Sequence, residues 1–172
     1  MSENVLSIYG DRSGYLWVGG SDGLGRFDPA TDRFTNYRPD PINPASLANS
    51  VCAIYEDRSG ALWLGTWGGV LSRFDEKTKT FVNYRPDSRD PHRLRGGGIG
   101  PILEDRAGTL WLGSSNGLYR YNRQNETFTR YTEGLPAHDI MGMLEDVDGR
   151  LWLRKTRFGV RIARGSTAKS SQ

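Results

Sequence analysis

An all-β fold built from about four repeated antiparallel sheets is predicted by two features of the 172-residue sequence. A stretch that combines an acidic residue, a glycine and the pair Leu-Trp occurs four times. The tryptophans of these stretches are 46, 48 and 41 residues apart, which suits the period of a four-stranded propeller blade. The sequence therefore predicts a β-propeller with three whole blades and an incomplete fourth. The repeated tryptophans are Trp17, Trp63, Trp111 and Trp152.

Each repeat contains the signals of antiparallel hairpins. An apolar first strand, such as residues 51–55, leads into a tight turn with Asp57 and, three residues later, Gly60. The aspartate can accept hydrogen bonds from the turn backbone and the glycine can take positive φ, so a hairpin is expected. We predict a partial propeller over 1–165, with blades at about 4–37, 50–84, 98–131 and 139–164 and a polar tail at 166–172.

The second strand of each repeat is predicted to be the core strand. Its pattern Leu-Trp-Leu is apolar on both faces, because side chains alternate sides along a strand, so it must be covered on both sides. Large indoles would then fill the wedge between neighbouring blades. Repetition at one blade position favours core packing over ligand stacking for these four tryptophans.

The fourth repeat departs from the pattern. It has Arg154 where the other repeats have glycine, and no fourth strand can be recognised. A propeller removes open sheet flanks by closing a ring. A closed four-bladed ring is the less favoured option here, because the last blade would need a strand borrowed from an amino terminus that offers only residues 1–4. We therefore expect a piece of a larger ring, with further blades or a second chain at the open flanks. An assembly module whose flanks pair with another chain remains an alternative.

Composition limits the partners. The formal charge is +3, but the basic residues cluster near the carboxyl end without the aromatic residues of a nucleic-acid module, which argues against nucleic acid. The sequence contains no apolar run long enough to span a membrane, and its first residues do not have the pattern of a secretory signal. The single cysteine, Cys52, cannot form an intramolecular disulfide and is predicted to be a buried, unreactive thiol.

A ligand site is predicted at the end of the blades that carries the longer, more variable loops. Trp67 is the informative residue, because it is the only tryptophan outside the repeated position. An exposed indole beside arginines suits a sugar or another polar ligand with a ring. The alternative, that Trp67 packs over its own hairpin, is the more ordinary role of an isolated surface aromatic residue. The candidate ligand-binding residues are Trp67, Arg38, Arg85, Arg93, Asn116 and His138.

Catalytic patterns are sparse. His92 and His138 lie in successive linkers and could form a metal or acid–base pair, but no nucleophile or third ligand stands at a recognisable spacing. The acidic turns do not bring together the oxygen ligands that calcium requires. We therefore expect no catalysis, no cofactor and no metal.

The sequence resembles the two-component regulator propeller repeat family over about residues 4–153. The resemblance rests on the pattern Ile-x-Glu-Asp-x-x-Gly-x-Leu-Trp-Leu-Gly-Thr, followed by Arg-Phe-Asp and Phe-x-x-Tyr, within 54–84, and on the linker at 40–47. It implies seven-bladed propellers in the periplasmic region of sensor histidine kinases. The implied role is an extracytoplasmic module that detects a ligand, often an oligosaccharide, and signals to a histidine kinase.

Two further points concern enzymatic activity. The sequence contains none of the family's kinase elements, so kinase activity is not expected of this chain. A lyase resembling the streptogramin-cleaving propellers is the alternative, because those repeats share the Gly-x-Leu-Trp core. That core continues there as Phe-Thr-Glu, whereas it continues here as Val-Gly-Gly, Leu-Gly-Thr or Leu-Gly-Ser.

Overall fold

The computed structural model describes residues 4–132, 139–155 and 160–164, which form 15 strands in four antiparallel sheets and contain no helix. Blade 1 contains β1 (Val5–Gly10), β2 (Leu16–Gly20), β3 (Gly23–Asp28) and β4 (Arg33–Tyr37). Blade 2 contains β5 (Val51–Glu56), β6 (Leu62–Thr66), β7 (Leu71–Asp75) and β8 (Thr80–Tyr84). Blade 3 contains β9 (Ile99–Glu104), β10 (Leu110–Ser114), β11 (Gly117–Asn122) and β12 (Thr127–Tyr131). Blade 4 contains β13 (Ile140–Glu145), β14 (Arg150–Lys155) and β15 (Val160–Arg164).

This arrangement confirms the predicted fold. Strands pair in sequence order within each sheet, and the first strands of successive blades lie side by side, as around the axis of a propeller. The second strand of each of the first three blades contacts the first strand of the next. The chain is therefore a partial β-propeller. The predicted tail at 166–172 lies outside the described residues.

The first hairpin of each blade closes as the sequence predicts. In blade 2 the Gly60 amide donates to the Asp57 carbonyl at 2.9 Å, and Gly60 adopts a φ of 86°. The Asp57 carboxylate accepts the amides of Ser59 and Ala61 through Oδ1. Its Oδ2 accepts the indole N–H of Trp63 at 2.8 Å. The same aspartate–indole bond, at 2.7–2.8 Å, occurs in all four blades, so each turn also fixes the orientation of its tryptophan.

Three of the four repeated indoles fill the wedges between blades. Trp63 is fully buried, with its ring stacked on Tyr84 of its own blade and in edge contact with Tyr121 of the next. Trp17 and Trp111 are also buried. The core prediction is less accurate for Trp152, which is only partly buried because it lies on the open side of the last described blade.

Glycine in the second strand allows the next blade to approach. A Cβ atom on Gly65 would lie 2.5 Å from the carbonyl oxygen of Ile99, at the start of the next blade's first strand. A Cβ atom on Gly19 would lie 2.9 Å from the Val51 carbonyl oxygen in the same way. Real Cβ atoms do not come this close to backbone, so these junctions depend on glycine.

Arginines in the first turns connect each blade to the next. The Arg58 amide donates to the Glu104 carboxylate at 2.6 Å, and its guanidinium donates to the Arg106 carbonyl at 3.0 Å. Arg12 makes the corresponding contacts with Glu56 and with the Arg58 carbonyl, and Arg106 with Glu145 and the Val147 carbonyl. The same two contacts, one with a glutamate and one with a backbone carbonyl, therefore join all three pairs of adjacent blades.

The linkers between blades cover the outer strands. The Phe81 amide in β8 donates to the Ala45 carbonyl, and the Phe128 amide in β12 donates to the His92 carbonyl, both at 2.8 Å. Leu47 and Leu94 anchor these linkers in the core. Each linker thus descends along the outer edge of the following blade before it enters that blade's first strand.

Candidate functional site

The turn between the second and third strands of blade 2 is one residue longer than that of blade 1. Gly65 pairs with Leu71 across it, whereas Gly19 pairs with Leu24 in blade 1. Buried Thr66 closes the longer turn, because its hydroxyl donates to the Val70 carbonyl and accepts the Val70 amide. The extra length places Trp67 at the apex, where 59% of its surface is exposed.

Trp67 lies over a run of three glycines from the next linker. The edge of its ring would be 3.3 Å from a Cβ atom on Gly98, so the backbone of the run packs directly against the indole. Gly97 is enclosed on its other side by Ser115 and Asn116, and the Asn116 side-chain amide donates to the Gly96 carbonyl at 2.7 Å. The glycine run thus packs between the corresponding turns of blades 2 and 3, and it contacts the indole of Trp67.

Beside Trp67 an open cleft of about 560 Å³ extends across the first strands of blades 2, 3 and 4. These strands carry β-bulges at the same end, between Val51 and Ala53 in β5 and between Ile140 and Gly142 in β13. A bulge re-aims side chains, and here the extra residues Cys52 and Met141 line the cleft. The cleft is lined by Cys52, Ala53, Trp67, Gly98, Ile99, Gly100, Pro101, Ser115, Asp139, Ile140 and Met141.

The chemistry of the cleft is apolar with a few polar groups. The Cys52 thiol donates to the Ile99 carbonyl at 3.1 Å, and burial raises its pKa to about 11, so it is protonated at neutral pH. Asp139 contributes a carboxylate to the lining and Ser115 a hydroxyl. An aromatic face beside a small number of polar groups is the arrangement of a small-molecule site.

The predicted site residues are only partly brought together. Trp67 lines the cleft and Asn116 supports it from the glycine run. Arg38 borders a separate cavity of about 30 Å³ at the open side of blade 1, which has room for about one or two waters. Arg93 lies on the outer linker, where it pairs with Asp90 at 3.3 Å. Arg85 is exposed and does not line the cleft, and His138 lies outside the described residues.

Of the two histidines, only His92 lies among the described residues. His92 lies in the linker that covers β12, away from the cleft, with its backbone amide bonded to Asp90 at 2.8 Å. Within 4–132, 139–155 and 160–164, no group of three His, Cys, Asp or Glu side chains could hold a metal ion. The same part of the chain contains no helix with the length and apolar character of a membrane span.

The bulge residues were missed by sequence reasoning. Cys52 was assigned to a regular strand, because the repeats show apolar character there without revealing an interrupted register. The available signal was the alignment of the repeats, in which Cys52 and Met141 occupy the same position, just after the first residue of the strand.

The sequence profile of the family described as two component regulator propeller matches residues 1–22 and 46–68. The chain is similar to that family over these two segments. They cover the first hairpin of blade 1 and the corresponding hairpin of blade 2 with the end of its linker. No curated protein matches the chain.

Solved structures with the same blades include the extracellular domain of BT4673 from B. thetaiotaomicron, described as a one-component system. It shares 26% sequence identity with a TM-score of 0.79, over 98% of this chain and 25% of that one. A second structure of that domain, described as part of a hybrid two-component system, has 22% identity and a TM-score of 0.74 over 93% of this chain and 21% of that one. This chain thus spans about a quarter of the length of these domains.

Virginiamycin B lyase from Staphylococcus aureus has the same fold. Its selenomethionine-substituted structure has 16% identity and a TM-score of 0.65, over 93% of this chain and 55% of that one. At this identity the similarity concerns the bladed architecture alone.

Proposed function

We propose that this chain is a ligand-binding part of a sensory propeller in a two-component signalling system, and that it does not catalyse a reaction. The single observation that carries the proposal is the cleft beside Trp67, in a chain with two-component regulator propeller repeats. The similarity to the extracellular domain of BT4673 supports an extracytoplasmic location and a histidine kinase as the downstream partner.

The ligand we propose is a neutral oligosaccharide. The exposed face of Trp67 can stack on the apolar face of a sugar ring, and Ser115 and Asp139 offer hydrogen-bonding groups across the cleft. The volume of about 560 Å³ lies within the range of small-molecule sites. Because the cleft crosses three blades, a bound ligand would restrain the angles between them, which is a means of transmitting a signal.

Trp67→Ala is expected to weaken oligosaccharide binding by at least about tenfold, because the stacking surface is lost. Isothermal titration calorimetry with a panel of neutral oligosaccharides measures this, using wild type, Trp67→Ala and Ile42→Ala. Ile42 is the matched control, an apolar side chain that is 90% exposed and does not line the cleft.

Two outcomes would contradict the proposal. Equal loss of binding in Trp67→Ala and Ile42→Ala would place the site elsewhere, and the absence of binding to every oligosaccharide would remove the proposed ligand class. Turnover is followed in the same samples by chromatography of the ligand. Consumption of a bound compound would favour the lyase alternative over a sensor.

A further inference from the structure

The three junctions between adjacent blades use the same four residue types at corresponding positions. The outward flanks of blade 1 and blade 4 each lack part of this set, and they lack different parts. At each junction the earlier blade offers a glycine in its second strand and an arginine in its first turn. The later blade offers an apolar residue that begins its first strand and a glutamate that ends it. The glycines are Gly19, Gly65 and Gly113; the arginines Arg12, Arg58 and Arg106; the apolar residues Val51, Ile99 and Ile140; the glutamates Glu56, Glu104 and Glu145.

The outward flank of blade 4 lacks both residues that the earlier blade supplies. Arg154 stands at the glycine position, and Val147 stands at the arginine position. At the interior junctions a Cβ atom on Gly65 would already be 2.5 Å from the next blade's backbone, so the Arg154 side chain blocks an approach of that kind. The Arg154 guanidinium instead folds back to the Met141 carbonyl at 3.2 Å, within its own blade.

The flank of blade 1 keeps the apolar part of the set. Val5 and Ile8 occupy the positions of Val51 and Ile54, and they are 51% and 64% exposed where their interior counterparts pack against the preceding blade. Only the receiving glutamate is missing, because Gly10 stands in its position. This flank therefore keeps the shape and apolar surface of a junction but has no carboxylate for an incoming arginine.

We propose that the flank of blade 1 receives a propeller blade with glycine in its second strand, and that Arg154 and Val147 prevent the flank of blade 4 from serving as such a blade. The occupant of the first flank is thus another repeat of the interior type, and it is not the fourth blade of a second copy of this chain. Continuity with the three interior junctions supports this choice, since they bury the same positions. A contact between blade 4 of one copy and blade 1 of another would join the ends of identical chains head to tail, into rings or filaments.

The test restores the interior residues at the flanks. The triple variant Gly10→Glu, Val147→Arg, Arg154→Gly carries a complete junction set on its two ends, all at exposed positions. We expect it to associate head to tail at least about tenfold more tightly than wild type, as measured by sedimentation equilibrium over a range of concentrations. Ile42→Glu, which has the same net charge change at a 90% exposed site, is the matched control and should behave as wild type.

A quadruple variant shows which surface is used. Adding Ile8→Glu to the triple variant places a charge on the flank of blade 1 and should return the mass to that of wild type. Equal masses for wild type and the triple variant would overturn the proposal. So would wild-type association that Ile8→Glu disrupts and Arg154→Gly leaves unchanged, because blade 4 would then dock despite its arginine. If circular dichroism shows the triple variant to be unfolded, the single Arg154→Gly variant, which removes the blocking side chain alone, decides between the same outcomes.

Discussion

Trp63→Ala is expected to lower the free energy of unfolding by about 3–5 kcal/mol, as large aromatic deletions from cores do. The indole is fully buried, packs between Tyr84 and Tyr121, and satisfies the Asp57 carboxylate through its N–H. Its removal leaves a cavity at a junction between two blades and an acceptor with one partner fewer. Urea unfolding followed by circular dichroism measures the change.

Trp67→Ala is the matched control for that deletion. The same atoms are removed from a side chain that is 59% exposed, so a loss within about 1 kcal/mol is expected. Trp152→Ala should fall between the two, because its indole is only partly buried. Equal losses for Trp63 and Trp67 would show that the two tryptophans do not have the separate roles of core and surface.

Asp57→Ala should cost about 2–4 kcal/mol, because it removes the buried partner of an ion pair with the partly exposed Arg123 and leaves buried donors unpaired. Asp57 is fully buried, and its Oδ2 atom accepts both the Trp63 indole and the Arg123 guanidinium at 2.8 Å. Asp105→Ala is the matched control. Asp105 accepts the Trp111 indole at 2.7 Å, but it is less buried and none of its contacts among the described residues is an ion pair with arginine, so its loss should be smaller. Equal losses would show that the Arg123 contact adds nothing.

The same carboxylate predicts a pH dependence. Burial alone would raise the pKa of Asp57, but hydrogen bonds from Ser59, Trp63 and Arg123 overcome it and lower the pKa from 3.8 to about 2. Because the folded pKa lies below the unfolded one, the contribution of Asp57 is complete above pH 3.8 and is lost as the pH falls through about 2. Its size is about 2 kcal/mol. Subtracting the stability of Asp57→Asn from that of wild type at each pH isolates this effect, and a pH-independent difference would contradict it.

The structure of a single blade could be predicted from the sequence, but the contacts between blades could not. Strand order, the Asp-to-Gly turn and the burial of Trp63 follow from patterns within about 20 residues, where side-chain alternation and turn chemistry decide the structure. The arginine contacts join residues that are 39–48 positions apart, so no local pattern reveals them. The aspartate–indole bond could have been found, because aspartate precedes tryptophan by six residues in every repeat.

Of the residues that line the cleft, the sequence pointed to Trp67 and not to its neighbours. Trp67 was identifiable because it breaks the repeat. Arg93 was grouped with it because both lie in loops, but the linker of Arg93 runs along the outer strand of the next blade, held by the bond from Phe128 to His92. That path depends on which edge the linker covers, a property of the assembled sheets. The bulges that place Cys52 and Met141 in the cleft are likewise a matter of register between strands.

Observation of the five indole N–H signals by nuclear magnetic resonance tests the central claim most directly. That claim is that the four repeated tryptophans are structural, three of them between blades, while Trp67 contacts the ligand. We predict slow hydrogen exchange for the four indoles bonded to aspartate, and fast exchange for Trp67, whose signal alone shifts strongly when an oligosaccharide is added. A protected Trp67, or ligand-induced shifts confined to the four repeated indoles, would contradict the account.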